Sequence, residues 1–338
     1  MASEFDFIRR IRQRADEKNR RVAGLSRGIG DDCAILKQLA GRDTVITADL
    51  LVEEIDFRRE WTTARLLGHK ALAVSLSDIA AMGARPRFAL LSIGAPQHIW
   101  RSTFMDHFYE GFYALADTHK VALVGGDVSR TPERIVVDSI VIGEAKRGQA
   151  VTRAGARPGD LLYVTGALGG AGCALNLLES GTRFAVKRPQ AAMSALDTLL
   201  LRQLRPQPRV AWGIRLGAKK LATAMIDVSD GLSSDLFHLC EEGGVGADIE
   251  AARLPIDALI MEACKVRTTQ DALASALDGG EDYELLFTVR PADAARVPKE
   301  IEGVGVSRIG VITNRRGRIR LIENKRARKL LARGFTHF

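Results

Sequence analysis

Six short acidic or glycine-acidic motifs punctuate the chain, and their residue types are those that hold hard cations beside phosphates. They are Gly30-Asp31-Asp32 in GIGDDCA, Asp49 in ITADLLV, Asp78 in SLSDIAAMGA, Gly125-Gly126-Asp127 in LVGGDVS, Asp227-Val228-Ser229-Asp230-Gly231 in IDVSDG, and Gly279-Gly280-Glu281-Asp282 in GGEDYEL. Most follow an apolar run that reads as a strand, so their carboxylates are expected at strand ends and turns. A chain with a net charge of +8 gathers aspartates in this way when something cationic sits between them. Mg²⁺ takes oxygen ligands and commonly bridges a few carboxylates to substrate phosphates. The pattern points to metal-dependent phosphoryl transfer.

Several other chemistries are excluded by what is missing. The chain has no G-x-x-x-x-G-K-[ST] phosphate loop, H-R-D catalytic loop or G-x-G-x-x-G dinucleotide fingerprint. It also lacks a G-x-S-x-G elbow and an H-E-x-x-H pair, and its six histidines form no ligand spacing. The four cysteines, Cys33, Cys173, Cys240 and Cys264, are scattered, so neither a disulfide framework nor a zinc site is expected. A reducing cytoplasm follows as the default location. The opening MASEFDFIRRIRQR carries charges where a signal peptide needs its apolar core. No run of about 18 uncharged apolar residues exists to span a membrane.

The positive charge is concentrated near the ends, at Arg9, Arg10, Arg12, Arg14, Arg20 and Arg21, and again from Arg315 to Arg333. Clustered cations can bind nucleic acid by releasing counterions. No nucleic-acid motif accompanies them and aromatic residues for base stacking are scarce, so solvated faces or attraction of an anionic substrate are the expected roles.

These motifs need scaffolding. At 338 residues the chain exceeds one typical core, which argues for two domains. Residues 44–49, 121–126 and 134–145 read as strands rich in Val and Ile, and 62–82 as a helix opened by Thr62 or Thr63. Phe104, Phe108, Phe112 and Leu115 recur on one face of a second helix. The stretch 148–159, with its Gly, Pro and charge, reads as a crossing, giving domains 1–148 and 149–338. Beyond it, DLLYVTG is a strand followed by the glycine-rich turn Gly166–Gly172 and a helix. That turn suits either a phosphate cradle or a tight strand-to-helix connection. Helical segments are expected over 186–220, strands at ATAMID, GADIE and YELLFTV, and a helix over 231–242. The mixed order argues for two α/β or α+β layers.

GIGDDCA, the strand ending in Asp49, SLSDIAAMGARP, LVGGDVSR, TRAGARPGD, VTGALG, RPQPRV, IDVSDGL and GGEDYELLFTV occur in this order over nearly the whole chain. This ordered set resembles the thiamine-monophosphate kinase family, within the superfamily of aminoimidazole ribonucleotide synthetase and selenophosphate synthetase. The resemblance implies Mg²⁺-dependent transfer of a phosphoryl group from ATP to thiamine monophosphate. It also implies a homodimer in which N-terminal strands of two subunits form a barrel. The N-terminal domain would bind ATP and metal, and the C-terminal domain would complete the active-site cleft.

Residue by residue, the resemblance implies metal ligation by Asp32, Thr47, Asp49, Asp78, Asp127, Asp227 and Asp230. It implies ATP contacts at Tyr109, Gly126, Asp127, Arg153 and Ser229, and acceptor contacts at Asp56, Glu281 and Phe335. Two positions depart from the family pattern: Asp56 stands where a histidine is usual, and Ala48 where Ser or Thr is frequent. A selenophosphate synthetase would carry a reactive residue in a glycine-rich N-terminal segment, whereas Cys33 lies within GIGDDCA. A pure polyanion binder would gain nothing from clustered carboxylates.

Overall fold

A computed structural model of the chain describes residues 13–15, 24–27, 35–36, 40–184, 193–263 and 268–335. Asp32, most of the basic N-terminal cluster, Cys33, Cys264 and the expected helical start at 186–192 lie outside the described residues. The chain divides into two compact units, Met1–Ile79 with Arg85–Gly148, and Ala80–Ala84 with Gln149–Phe338.

The first unit contains a small antiparallel pair, β1 (Leu25–Arg27) and β2 (Ile35–Leu36), and a four-stranded sheet. The sheet is ordered β3-β6-β4-β5, from β3 (Arg42–Val52), β4 (Arg85–Ala95), β5 (Ala122–Arg130) and β6 (Val136–Lys146). Only the β4–β5 pairing is parallel. The sheet is open within one chain, with β3 and β5 as its edges. Strand β4 was not expected from sequence. It is an inner strand whose apolar run Phe88-Ala89-Leu90-Leu91 shows no alternation to read. Along β3 the alternation is clear, and Ile46 and Leu50 are 67% and 58% exposed on one face.

Two helices accompany this sheet. The helix Ala64–Ala81 starts where the Thr63 hydroxyl accepts a hydrogen bond from the Leu66 amide at 3.2 Å. The helix Phe104–His119 buries Phe108, Tyr109, Phe112 and Tyr113 on its apolar face. The rings of Phe108 and Tyr109 meet edge to face at 5.8 Å. Tyr109 is only 5% exposed, and burial drives its hydroxyl pKa far upward. Its ring packs among the aromatic residues of its unit.

The second unit is organised around a larger sheet. Its path runs β14-β13-β9-β12-β7-β10-β8, with β11 paired to β12. The strands are β7 (Leu161–Thr165), β8 (Ala222–Asp227), β9 (Gly246–Glu250), β10 (Leu285–Val289), β11 (Glu300–Ile301), β12 (Val304–Thr313), β13 (Ile319–Glu323) and β14 (Arg326–Lys329). Strand β10 is buried along its whole length. On one face Phe287 stacks on Tyr163 at 5.6 Å, and on the other Leu286 joins Val164 and Ile226 in the main core. The helices Leu232–Gly243 and Thr269–Asp278 close that core with Leu236, Leu239, Leu273 and Ala276.

The basic C-terminal run is ordered structure as well as solvated face. Arg320 pairs with Asp248 of the neighbouring strand, while Arg326, Arg328 and Lys329 lie on the exposed edge strand β14. Cations on an edge discourage strand addition by other chains. The cysteines also differ from expectation: Cys173 is disulfide-bonded, and Cys240 is free and buried. Among the described residues no helix is long and apolar enough to cross a membrane.

In the first unit the two helices cross at glycines. A Cβ at Gly68 would collide with the Phe108 carbonyl, and one at Gly111 with the Arg65 carbonyl. Backbone contact there leaves no room for a methyl group. Gly111→Ala should therefore destabilise the protein by about 1–3 kcal/mol in urea unfolding, as overpacking does. Helix propensity alone predicts the opposite sign, so a more stable variant would refute the close crossing.

Candidate active site

In the first unit, Thr47 and Asp49 project from the same face of β3, two residues apart on a strand of period two. Asp49 pairs with Ser139 across β6. The Ser75 hydroxyl, on the helix Ala64–Ala81, donates toward Asp49 Oδ2 at 2.7 Å and lies 3.0 Å from the Ser139 carbonyl. One turn further along that helix, Asp78 accepts a short hydrogen bond from the Thr47 hydroxyl. Burial pushes the Asp49 pKa up to about 6, and the charges of Asp78 and then Asp138 add to the rise, against the Ser75 hydrogen bond. Like charges thus converge on Asp49 in a partly dehydrated place.

Asp138, which adds to that charge from the opposite face of the sheet, opposite Leu50, was missed by sequence reading. Its signal was an isolated carboxylate inside the apolar strand VVDSIVIG, which inward alternation alone would not explain. Asp138 and Asp127 both stand opposite Ser92, one on each side of β4. Asp127 is exposed, and its carboxylate accepts from the Val128 amide at 2.9 Å. Gly126 before it has φ +148°, and a Cβ there would strike the Leu91 carbonyl. The carboxylates of Asp49, Asp78 and Asp127 therefore lie within strands and a helix, whereas strand ends and turns were expected.

In the second unit, Asp227 is the buried last residue of β8. Asp235, in the first turn of the helix Leu232–Gly243, folds back so that its Oδ2 accepts from the amides of Asp230 and Gly231, each at 3.1 Å. Burial raises its pKa to about 8, with further push from Asp227 and Asp230 and opposition from those amides. Sequence reading missed Asp235 because an acid in a first helical turn is ordinary.

The loop Gly279–Glu284 is laced to this turn by its backbone. Glu281 N–H donates to the Ser229 carbonyl at 2.7 Å, Tyr283 N–H to Val228 at 2.8 Å, and Val228 N–H to Glu284 at 2.7 Å. The C-terminal segment docks there too: Phe335 N–H donates to the Asp230 carbonyl at 3.1 Å, leaving a ring 53% exposed. Asp227, Ser229, Asp230, Glu281 and Phe335, far apart in sequence, are thus brought together.

The three acids of GGEDYEL take different places. Asp282 accepts from Gly169 and Ala171 amides at 2.6 and 3.2 Å, at the start of the helix Gly170–Glu179. Burial first, and then nearby acids, lift its pKa to about 8. Two amides of the glycine-rich turn are therefore occupied by the protein's own carboxyl, which supports the tight connection over the phosphate cradle. Glu284 is buried and receives Arg209 through both Nε and NH2, at 2.6 and 2.5 Å, and the Thr165 hydroxyl at 2.6 Å. Glu281, half-buried, is held by the Gln203 side-chain amide.

Two expected contacts stand apart. Asp56 accepts from the Val52 amide at 2.7 Å and fastens the turn after β3. Arg153 is exposed in a short 3-10 turn beside β8, where the preceding Thr152 carbonyl accepts from Met225. Among the described residues no group of three or more Asp, Glu, His or Cys side chains is drawn close enough to hold a metal alone.

Residues 30–145 match AIR synthase related protein, N-terminal domain, and residues 157–322 match AIR synthase related protein, C-terminal domain. The thiamine-monophosphate kinase of Bacillus subtilis (strain 168) is 33% identical over 338 residues, covering 99% of each chain. The solved thiamine-monophosphate kinase from Stenotrophomonas maltophilia K279a superposes with a TM-score of 0.82 at 38% identity, over 91% of this chain and 94% of its own. AaThiL complexed with AMPPCP and TMP superposes with a TM-score of 0.76 at 28% identity, over 99% of this chain and 97% of its own. With identity above the 30% level sustained from end to end against the Bacillus subtilis enzyme, the chain belongs to the thiamine-monophosphate kinase family, with the two-domain α/β architecture of the AIR synthase related proteins.

Proposed function

We propose that this protein transfers the terminal phosphoryl group of ATP to thiamine monophosphate, giving ADP and thiamine diphosphate. The observation that carries this reading is the full-length likeness to a structure solved with AMPPCP and TMP, joined to the converging carboxylates of each unit. The bond from the γ-phosphorus to the ADP oxygen breaks as one forms to an oxygen of the acceptor phosphate. That oxygen is already anionic at neutral pH, so no side chain is needed to remove a proton from it. What must be overcome is repulsion between anions.

The donor set fits Mg²⁺: Asp49, Asp78 and the Thr47 hydroxyl in the first unit, with Asp127 on the other edge strand of the sheet, and Asp227 and Asp230 in the second. All are hard oxygens, the ligand type Mg²⁺ takes together with waters and phosphate oxygens. When bound, Mg²⁺ would neutralise phosphate charge and the mutual repulsion of these carboxylates. Gly126 lets phosphate oxygens approach the backbone, while Arg153 and Ser229 are assigned to the nucleotide. Glu281 and the exposed ring of Phe335 are assigned to the cationic thiazolium.

We propose further that two copies join along the open sheet of the first unit. Strand β3 is a long unpaired edge, and Ile46 and Leu50 beside it are exposed. An unpaired apolar edge is a liability that pairing between copies removes, and closure into a barrel removes the edges altogether.

Asp78→Asn and Asp127→Asn should each slow ADP formation with thiamine monophosphate by about a hundredfold or more, as loss of one charge-stabilising group does, without unfolding. Near-normal turnover at saturating Mg²⁺ would sink the assignment of that residue. Asp56 uses one oxygen in its turn and keeps the other for the acceptor. Asp56→Asn preserves a turn acceptor but removes the charge, so it should raise KM for thiamine monophosphate roughly tenfold and leave KM for ATP alone. Unchanged constants would show a purely local role. The pair Ile46→Asp with Leu50→Asp should convert a dimer to monomers in sedimentation velocity, and an intact dimer would reject this interface.

A further inference from the structure

Gln203 is buried at 4% exposure, one residue from the end of the helix Ala195–Leu204. Its side-chain Nε2 donates to Glu281 Oε2, while its Oε1 is buried with no hydrogen-bond partner. An orphaned buried acceptor costs about 1–3 kcal/mol, so stability alone would not select this amide here. Turning the amide over would place its oxygen against a carboxylate. The charge-assisted bond wins, and the orphaned oxygen is the cost of keeping the donor on Glu281.

The platform is rigid. The helix begins with a capping box between Ser194 and Asp197, and near its end Arg202 is held by buried Asp257 at 2.8 Å. Leu199, Leu200 and Leu204 anchor the same helix in the core. Glu281 itself sits at φ +63° and Tyr283 at +50°, strained left-handed conformations that fix the turn carrying this carboxylate. The Tyr283 hydroxyl reaches the other Glu281 oxygen only at 3.5 Å.

We propose that Gln203 is a positioning residue for acceptor recognition. Its amide aims the Glu281 carboxylate at the cationic, N–H-bearing ring system of the acceptor. The inference rests on the assignment of Glu281 to thiamine monophosphate. Gln203 acts through Glu281 and takes no part in the transfer.

The test is a double-mutant cycle with steady-state kinetics for both substrates, alongside thermal melts. Gln203→Met keeps the volume and removes the donor, and Gln203→Asn draws the amide back by one methylene. Each should raise KM for thiamine monophosphate about tenfold, with kcat and KM for ATP changed less than about twofold, the pattern of lost uniform binding. In a Glu281→Ala background the same changes should have almost no further effect. If Glu281→Ala leaves KM for thiamine monophosphate unchanged, the underlying assignment fails. If Glu281→Ala raises it but both Gln203 variants do not, the positioning role fails alone. An equal penalty from Gln203→Met with or without Glu281 would also overturn it, since a merely structural role gives that result. Should Gln203→Met melt too low to assay, Gln203→Asn decides on the same criteria.

Discussion

Carboxylates that crowd one another in a partly buried place are costly, and this fold is arranged around that cost. Asp49 is driven up to about 6 and Asp235 to about 8, in both cases by burial first and by neighbouring acids next. Each unit supplies partial relief from within: the Ser75 hydroxyl at Asp49, and the Asp230 and Gly231 amides at Asp235. These neutral donors are too weak to cancel the repulsion, as the remaining upward shifts record. A divalent cation would cancel it outright, and phosphate would complete the ion's coordination. The same carboxylates that weaken the isolated fold are of the kind that suits a cation shared with polyphosphates.

The acidic loop 279–284 solves a related problem differently. Two of its three acids are turned inward onto partners within the protein: Asp282 onto amides at a helix start, and Glu284 onto Arg209. Two left-handed residues in the loop cost roughly 1–2 kcal/mol each. Buried ion pairs are poor sources of net stability because of desolvation, so the gain lies in a single loop geometry. That geometry sets Glu281 half-buried against the Gln203 amide.

Much of this site was legible because local chemistry and function coincide in certain segments. Asp227-Val228-Ser229-Asp230-Gly231 reads as a strand end and turn, and it is one. The Phe104, Phe108, Phe112, Leu115 spacing reads as a helix face, and those residues lie on the helix Phe104–His119. Tyr109, one position on from Phe108, shares the burial of these core aromatics. Strand β4 was missed because a strand apolar on both faces loses its period. The disulfide at Cys173 was missed because spacing along the chain says little about distance in space.

The sequence by itself determined the elements whose cause is local. These include the Thr63 cap, the amphipathic helix with its aromatic stripe, the ordered acidic motifs, and hence the class of ligand they suit. Only the tertiary structure decided which acids act together. Asp49 stands opposite Ser139, and Asp138 opposite Leu50 on the other face, because β6 pairs with β3 in one register, and a shift of one residue would exchange them. Gln203 meets Glu281, and Phe335 meets Asp230, across 78 and 105 residues of chain respectively (281 − 203 and 335 − 230). No local propensity encodes such meetings. They follow from burying two apolar sheets and their helices, after which the polar groups left at the sheet ends must find one another.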